Sequence, residues 1–265
     1  MGPFFTHKMG ISVVVTTYNR PFFLLNLVRQ LLTQNVERPV EILVVNDGGD
    51  PGVPEVLRSA LGKSRFPVRL FDSGYQGYGL TLCRNIGIRH ANYDQLVFLD
   101  DDLSIGASLL SCYSEAPEGL RMGTVLQLTT VKNTTRLVAD ARGALLTGET
   151  RAIDDYRSYM GFLWGANFSI PTRYAMAVGG FDESFLDEGQ EDMDFGARII
   201  QFLDGFFVVP SASAVHLGVP QSLDAHNVNA GRTGRMVERF CTRRSLIVNG
   251  GLSYWMQEKW SQYQR

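Results

Sequence analysis

Short apolar runs alternate with amphipathic stretches along the first hundred or so residues. Ile11-Ser12-Val13-Val14-Val15 is β-branched and reads as a buried strand. A polar turn, Thr16-Thr17-Tyr18-Asn19-Arg20, follows. Pro21 then suits the first turn of a helix, and Leu24, Val28 and Leu31 recur behind it at helical spacing. Glu41 to Val45 predicts a second strand, ending in Asn46-Asp47-Gly48-Gly49. A short helix at about Val53 to Leu61 and a strand at about Val68 to Phe71 come next. A glycine-rich loop, Gly74 to Gly79, leads into a helix with Cys83, Ile86 and His90 on one face. Leu96-Val97-Phe98-Leu99 is then a buried strand that runs straight into Asp100, Asp101 and Asp102.

This strict alternation predicts an α/β fold: a mostly parallel, doubly wound, Rossmann-like sheet with helices on both faces. Three predicted strands end in polar loops: Thr16 to Asn19, Asn46 to Gly48, and Asp100 to Asp102. In a parallel sheet those loops share one edge, where ligands bind. The second half is less regular. Val125 to Val131 reads as a strand, and Leu137 to Leu146 as a candidate for another. Gly161 to Asn167 is a glycine- and aromatic-rich loop before Phe168-Ser169-Ile170, and Gly179 to Glu183 is a turn. Gln190 to Leu203 reads as a helix that opens with Glu191-Asp192. Phe206 to Val209 is a short strand, with His216 in a loop beyond it. No repeat, low-complexity tract or Pro/Ser linker marks a boundary. We therefore expect a single domain over residues 1–265. About 10–103 form one half and about 104–223 the other, and a locally basic tail covers about 224–265.

Composition excludes more than it selects. A net charge of −2 gives no pull toward nucleic acid or an anionic membrane. The three cysteines, Cys83, Cys112 and Cys241, are far apart and lack metal-ligand spacing. No stretch approaches the roughly 20 apolar residues of a membrane span, and the start lacks the apolar core of a signal peptide. The expectation is a cytoplasmic protein. The three aspartates do change the picture: carboxylates cluster cheaply only if something positive neutralises them. A hard divalent cation carrying a phosphorylated ligand is the obvious candidate.

Five segments together resemble glycosyltransferase family two, with the nucleotide-diphospho-sugar transferase (GT-A) fold. They are Val14 to Arg20, Val44 to Gly48, Cys83 to Gly87, Phe98 to Asp102, and Gly189 to Phe195. They run in family order and span most of the chain. The resemblance implies an inverting, metal-dependent transfer of a sugar from a nucleotide diphosphate, a UDP-sugar, to the hydroxyl of a glycan, lipid or small molecule. The family's Asp-any-Asp motif maps onto Asp100 and Asp102, which point the same way on an extended segment. The resemblance makes Asp102 a ligand of Mn²⁺ or Mg²⁺ and His216 a further ligand. It sets Asp100 on the metal's water shell or the ribose, with Asp101 as a spacer on the nucleotide side. It implies that Asp47 accepts a hydrogen bond from the base. Thr16, Thr17, Tyr18 and Arg20 line the same nucleotide site, and Arg84 lies near the phosphates. It makes Asp192 the base that takes the acceptor's proton, with Glu191 binding hydroxyls beside it. At a helix start the dipole favours the ionised form a base needs. Trp164 and Asn167 fall where the family's sugar or acceptor platform lies. Arg232 and Arg235 fall on a closing loop, and we expect one of them to touch the diphosphate.

Each of these residues also has a plainer reading: a helix cap for the aspartates, an Asp-Gly turn for Asp47, a solvated arginine for Arg84, core packing for Trp164. Two rival functions stay open. A nucleotidyltransferase shares the topology, but usually carries a glycine- and lysine-rich loop where this chain has Thr16 to Arg20. A non-catalytic sugar-nucleotide-binding module would have broken acid motifs, and none is broken here.

Overall fold

In the computed structural model, the β-branched run at the start becomes β1 (Lys8–Thr17), an interior strand of a ten-stranded sheet. The structure describes residues 7–49, 51–62, 64–131, 134–139, 151–152, 163, 165–186, 191–199 and 202–218. After β1 come α1 (Pro21–Leu32), β2 (Val40–Asn46), α2 (Val53–Leu61), β3 (Val68–Asp72), α3 (Leu80–His90) and β4 (Tyr93–Asp100). The alternation read from the sequence holds throughout this half. Beyond it lie β5 (Leu103–Ile105), α4 (Leu109–Glu115), β6 (Leu120–Val131), β7 (Thr134–Ala139) and β8 (Arg151–Ala152). β9 (Asn167–Pro171), α5 (Thr172–Ala177), α6 (Glu191–Ile199) and β10 (Phe206–His216) complete it. Among the described residues, no helix is long and apolar enough to cross a membrane.

The sheet order is β3-β2-β1-β4-β9-β6-β10-β5, with β7 against β6 and β8 against β10. β3, β2, β1 and β4 are all parallel. β9 is antiparallel to both β4 and β6, and β10 runs parallel to β6. The chain moves outward from β1 to β3 and then returns to β4 on the other side of β1. The order therefore reverses between β1 and β4, and a crevice opens outside the strand ends at such a point. Register brings the polar loops together there. Thr16 lies opposite Asp100, and Thr17 opposite Asn46. Because β9 runs the other way, its start reaches the same edge, with Asn167 opposite Leu99.

The sheet separates two apolar cores. On one face α1, α2 and α4 pack Leu24, Leu27, Leu57 and Leu110 against Val13, Val15 and Val97. On the other, Ile88 of α3, Tyr174 of α5 and Phe195 of α6 pack against Val14, Leu43, Phe98 and Phe168. Helices thus cover both faces, as strands buried on both sides require. Phe98 stacks on Phe168 with centroids 4.7 Å apart, and Phe181 stacks on Phe195 at 4.1 Å. Full burial of each such ring contributes about 1.5–3 kcal/mol, so this column anchors α6 firmly to the sheet. At Gly87 a side chain would run into Val14, so glycine lets α3 lie close on β1.

Two expectations change. β10 does not stop at Val209: it continues through Pro210 to His216, with a register shift between Val209 and Ala214. A proline inside a strand reads as an end, but a bulge accommodates it. His216 is therefore the last residue of a strand, not part of a loop. The short elements β5, α4 and α5 carry too few residues to show a period, and went unread.

Candidate active site

The acid cluster sits at the β1/β4 crevice and is held by its neighbours. Asp100 closes β4; Asp101 and Asp102 form the turn into β5. Thr17 donates its hydroxyl to Asp101 Oδ2 at 2.6 Å. Arg20, between β1 and α1, donates Nη1 to Asp102 Oδ2 at 2.6 Å and reaches Asp101 Oδ1 at 3.4 Å. The Leu217 N–H donates to the Asp102 carbonyl, tying the end of β10 to this turn. His216 Nε2 lies 3.3 Å from Asp102 Oδ1. That oxygen is buried and accepts no hydrogen bond. Burial pushes the Asp101 carboxyl up to about 6, against the pull of Thr17 and Arg20. Burial also raises Asp102, opposed by His216. Part of the positive charge that the three aspartates require is thus supplied by the chain itself.

Among the described residues, no group of three or more His, Cys, Asp and Glu side chains is arranged to hold a metal ion. The donors nevertheless fit one that brings ligands of its own. A buried carboxylate oxygen that accepts no hydrogen bond, beside an imidazole nitrogen, offers two donors, with Asp100 two residues away at the end of β4. Mg²⁺ typically takes one or two carboxylates and fills the rest of its shell with phosphate oxygens and water.

A second acid pair lies across the crevice, at the start of α6. Arg84, from α3, joins the two groups. Its Nη1 donates to Glu191 Oε1 at 3.0 Å, and Nη2 reaches Asp100 Oδ1 at 3.5 Å. The guanidinium is buried and lies over the Phe181 ring. Burial disfavours its charge, yet Glu191, Asp100 and Asp192 raise its pKa above the ordinary value. Gly165 packs so closely on Arg84 that any side chain there would strike the guanidinium. The Gly165 N–H donates to Asp192 Oδ2 at 2.8 Å, and the Met193 N–H to Oδ1 at 2.7 Å. Asp192 keeps some surface open to solvent, while Glu191 is buried. Desolvation, and then Glu191, push Asp192 up to about 7, despite Arg84 and the two N–H donors. Burial thus opposes the preference of the helix dipole for the anion, and this carboxylate exchanges its proton near neutral pH.

At the β2 end of the crevice, Asp47 follows the strand and is buried. It accepts the Gly79 N–H on Oδ2 at 2.8 Å, and the Ser73 hydroxyl and Cys83 thiol on Oδ1 at 3.1 and 3.4 Å. A carboxylate has about four acceptor positions, so these leave one. Burial and Asp47 raise the Cys83 thiol, which makes it an inert packing group. Tyr18 is 55% exposed beside Gly49, with its ring open to a flat ligand. Thr16 is buried beneath it in β1.

One predicted residue lies elsewhere. Asn167 is fully buried: it accepts the Tyr113 hydroxyl at 2.8 Å and donates to the Thr124 and Ala212 carbonyls at 3.2 and 2.8 Å. Its polar atoms serve the sheet, and it presents nothing to a sugar. Trp164, Arg232 and Arg235 lie outside the described residues. The sequence reading missed the pairing role of Arg20, the bridging role of Arg84 and the backbone N–H of Gly165. Only the glycine-rich character of the Gly161 to Asn167 segment bore on the last.

A sheet of this order, with helices on both faces, is the GT-A fold. Solved structures share that fold. S. aureus TarS in complex with UDP-GlcNAc superposes with a TM-score of 0.63 at 15% identity, over 84% of this chain and 66% of that one. The mannosyltransferase PcManGT from Pyrobaculum calidifontis, in complex with GDP-Man and Mn²⁺, gives 0.60 at 17% identity, over 86% and 63%. Residues 12–111 match the sequence model of Glycosyl transferase family 2. The hyaluronan synthase of Pasteurella multocida is 25% identical over 256 residues, which is 84% of this chain but 26% of the synthase. The chain thus spans about a quarter of that relative's length. Over residues 12–111 these likenesses support a glycosyltransferase of family 2.

Proposed function

We propose that this chain transfers a sugar, with inversion, from a UDP-sugar to an acceptor hydroxyl. The observation that carries the reading is the pairing of two acid groups across one crevice: Asp100–Asp102 at the strand ends, and Glu191–Asp192 at the start of α6, bridged by Arg84. In this reading the uracil edge donates to the remaining acceptor position of Asp47, and Tyr18 stacks on the base. Asp102 and His216, with Asp100 nearby, would hold Mn²⁺ or Mg²⁺, which neutralises charge on the departing diphosphate. Asp192 takes the proton of the acceptor hydroxyl as its oxygen bonds to the anomeric carbon. The bond from that carbon to the phosphate oxygen breaks on the opposite side, which inverts the centre. A carboxylate raised to about 7 is well matched to this work near neutral pH. Glu191, held by Arg84, binds acceptor or donor hydroxyls beside it. Support also comes from two neighbours of the same fold whose complexes contain UDP-GlcNAc, or GDP-Man with Mn²⁺.

The test is a panel of nucleotide sugars with Mn²⁺ and an acceptor series, reading nucleotide release. Asp102→Ala and Asp192→Asn serve as controls. We expect Asp192→Asn to lose about 10²–10⁴-fold in turnover while still binding UDP. Full transfer by that variant would remove Asp192 from the role of base.

A further inference from the structure

We propose that Arg20 is a built-in counter-cation, which keeps a divalent ion off Asp102 until the donor's diphosphate draws the guanidinium away. The inference rests on the metal-dependent reading above and adds the order in which the site assembles.

The two partners differ in freedom. Side chains of Asp101 and Asp102 are 5% and 3% exposed, whereas that of Arg20 is 51% exposed. Asp101 is pinned by the Thr17 hydroxyl, and the turn carrying Asp102 is pinned by the Leu217 N–H. The arginine is therefore the part that can move. Asp102 is also divided. Its Oδ2 takes the Arg20 proton donor at 2.6 Å, while Oδ1 accepts no hydrogen bond and faces His216. A divalent ion on Oδ1 would share the carboxylate with a guanidinium, two like charges within a few ångströms. In half-buried surroundings that repulsion is only weakly screened.

A diphosphate changes the balance. Its oxygens match the guanidinium fork as well as a carboxylate does. Arg20 stands at the end of the loop that also carries Tyr18, so a nucleotide stacked on Tyr18 brings its phosphates within the arm's reach. When Arg20 moves to them, Asp102 regains both oxygens for the cation. Cation and nucleotide are then thermodynamically coupled, and each tightens the other by the same factor.

Titration calorimetry of Mn²⁺ into the full chain, alone and with saturating UDP, tests this in wild type, Arg20→Gln and Arg20→Lys. Arg20→Gln should bind Mn²⁺ alone about tenfold more tightly than wild type, and the tightening produced by UDP should shrink by a similar factor. Arg20→Lys keeps the charge and should stay close to wild type. Mn²⁺ alone binding to Arg20→Gln at wild-type affinity or weaker would overturn the proposal. So would tenfold tightening in Arg20→Lys, since charge would then not be the cause. If wild type binds UDP but never Mn²⁺, the metal-dependent reading itself falls, and this inference with it.

Discussion

Replacing Arg84 by glutamine tests how the two acid groups are held together. The side chain remains long and polar, but its charge is gone. Glu191, 7% exposed, then loses its partner at 3.0 Å. Asp100, 33% exposed and 3.5 Å away, loses a weaker one. Deleting one partner of a buried pair costs about 3–5 kcal/mol. The Asp100 contact is screened by solvent and adds about 0–1 kcal/mol. The low end, about 3 kcal/mol, suits a site where Asp192 can take up a proton. For a chain of this size that is about 6–12 °C in Tm, at about 2–4 °C per kcal/mol. The sign with pH follows from which form Arg84 favours. It stabilises the ionised carboxylate, so its effect on Asp192 is present above about pH 7 and fades as pH falls through that value. Thermal unfolding followed by circular dichroism should thus show a larger deficit for Arg84→Gln at pH 8 than at pH 5.5. Equal midpoints for wild type and variant at pH 8 would refute the argument that this ion pair bears on stability.

Two further outcomes are expected. Turnover should rise with pH through a midpoint near 7, because Asp192 in its proposed role as base must lose its proton, and the rise should move to higher pH in Arg84→Gln; a midpoint near 4 in wild type would contradict that role for a buried carboxyl. Asn167→Ala should remove the hydrogen bonds to the Tyr113 hydroxyl and to the Thr124 and Ala212 carbonyls, at about 1–3 kcal/mol for each buried group whose lost bond is not replaced; urea unfolding should register this while KM for the sugar donor stays constant.

Residues close in sequence were legible, and those joined across long separations were not. The apolar runs announced β1, β2 and β4, since burial on both faces keeps each of them almost continuously apolar. Their polar ends gave the crevice, because parallel strands deliver those ends to one edge. The motifs located both acid groups. Pairings such as Arg20 with Asp102 and Arg84 with Glu191 span 82 and 107 positions, and no local pattern reports them. Asn167 misled for a related reason: its motif neighbours place it at the edge, yet only the packed sheet shows its amide turned into three internal bonds. Asp192 shows the same limit in energy. A helix start favours the anion, and only the surrounding packing shows desolvation to be larger.

The sheet that divides the two apolar cores also divides the site's supports. Arg20 leads into α1, whose Leu24 and Leu27 lie in one core; Glu191 and Asp192 open α6, whose Phe195 lies in the other. Repacking beneath α1 therefore reaches the site chiefly through Arg20, and repacking beneath α6 chiefly through Glu191 and Asp192, with Arg84 the link between them. On the proposed function, cavities cut beneath α1 should register first in donor affinity, and cavities cut beneath α6 in turnover. Each core is thus a separate handle on one part of the site, joined by a single buried guanidinium.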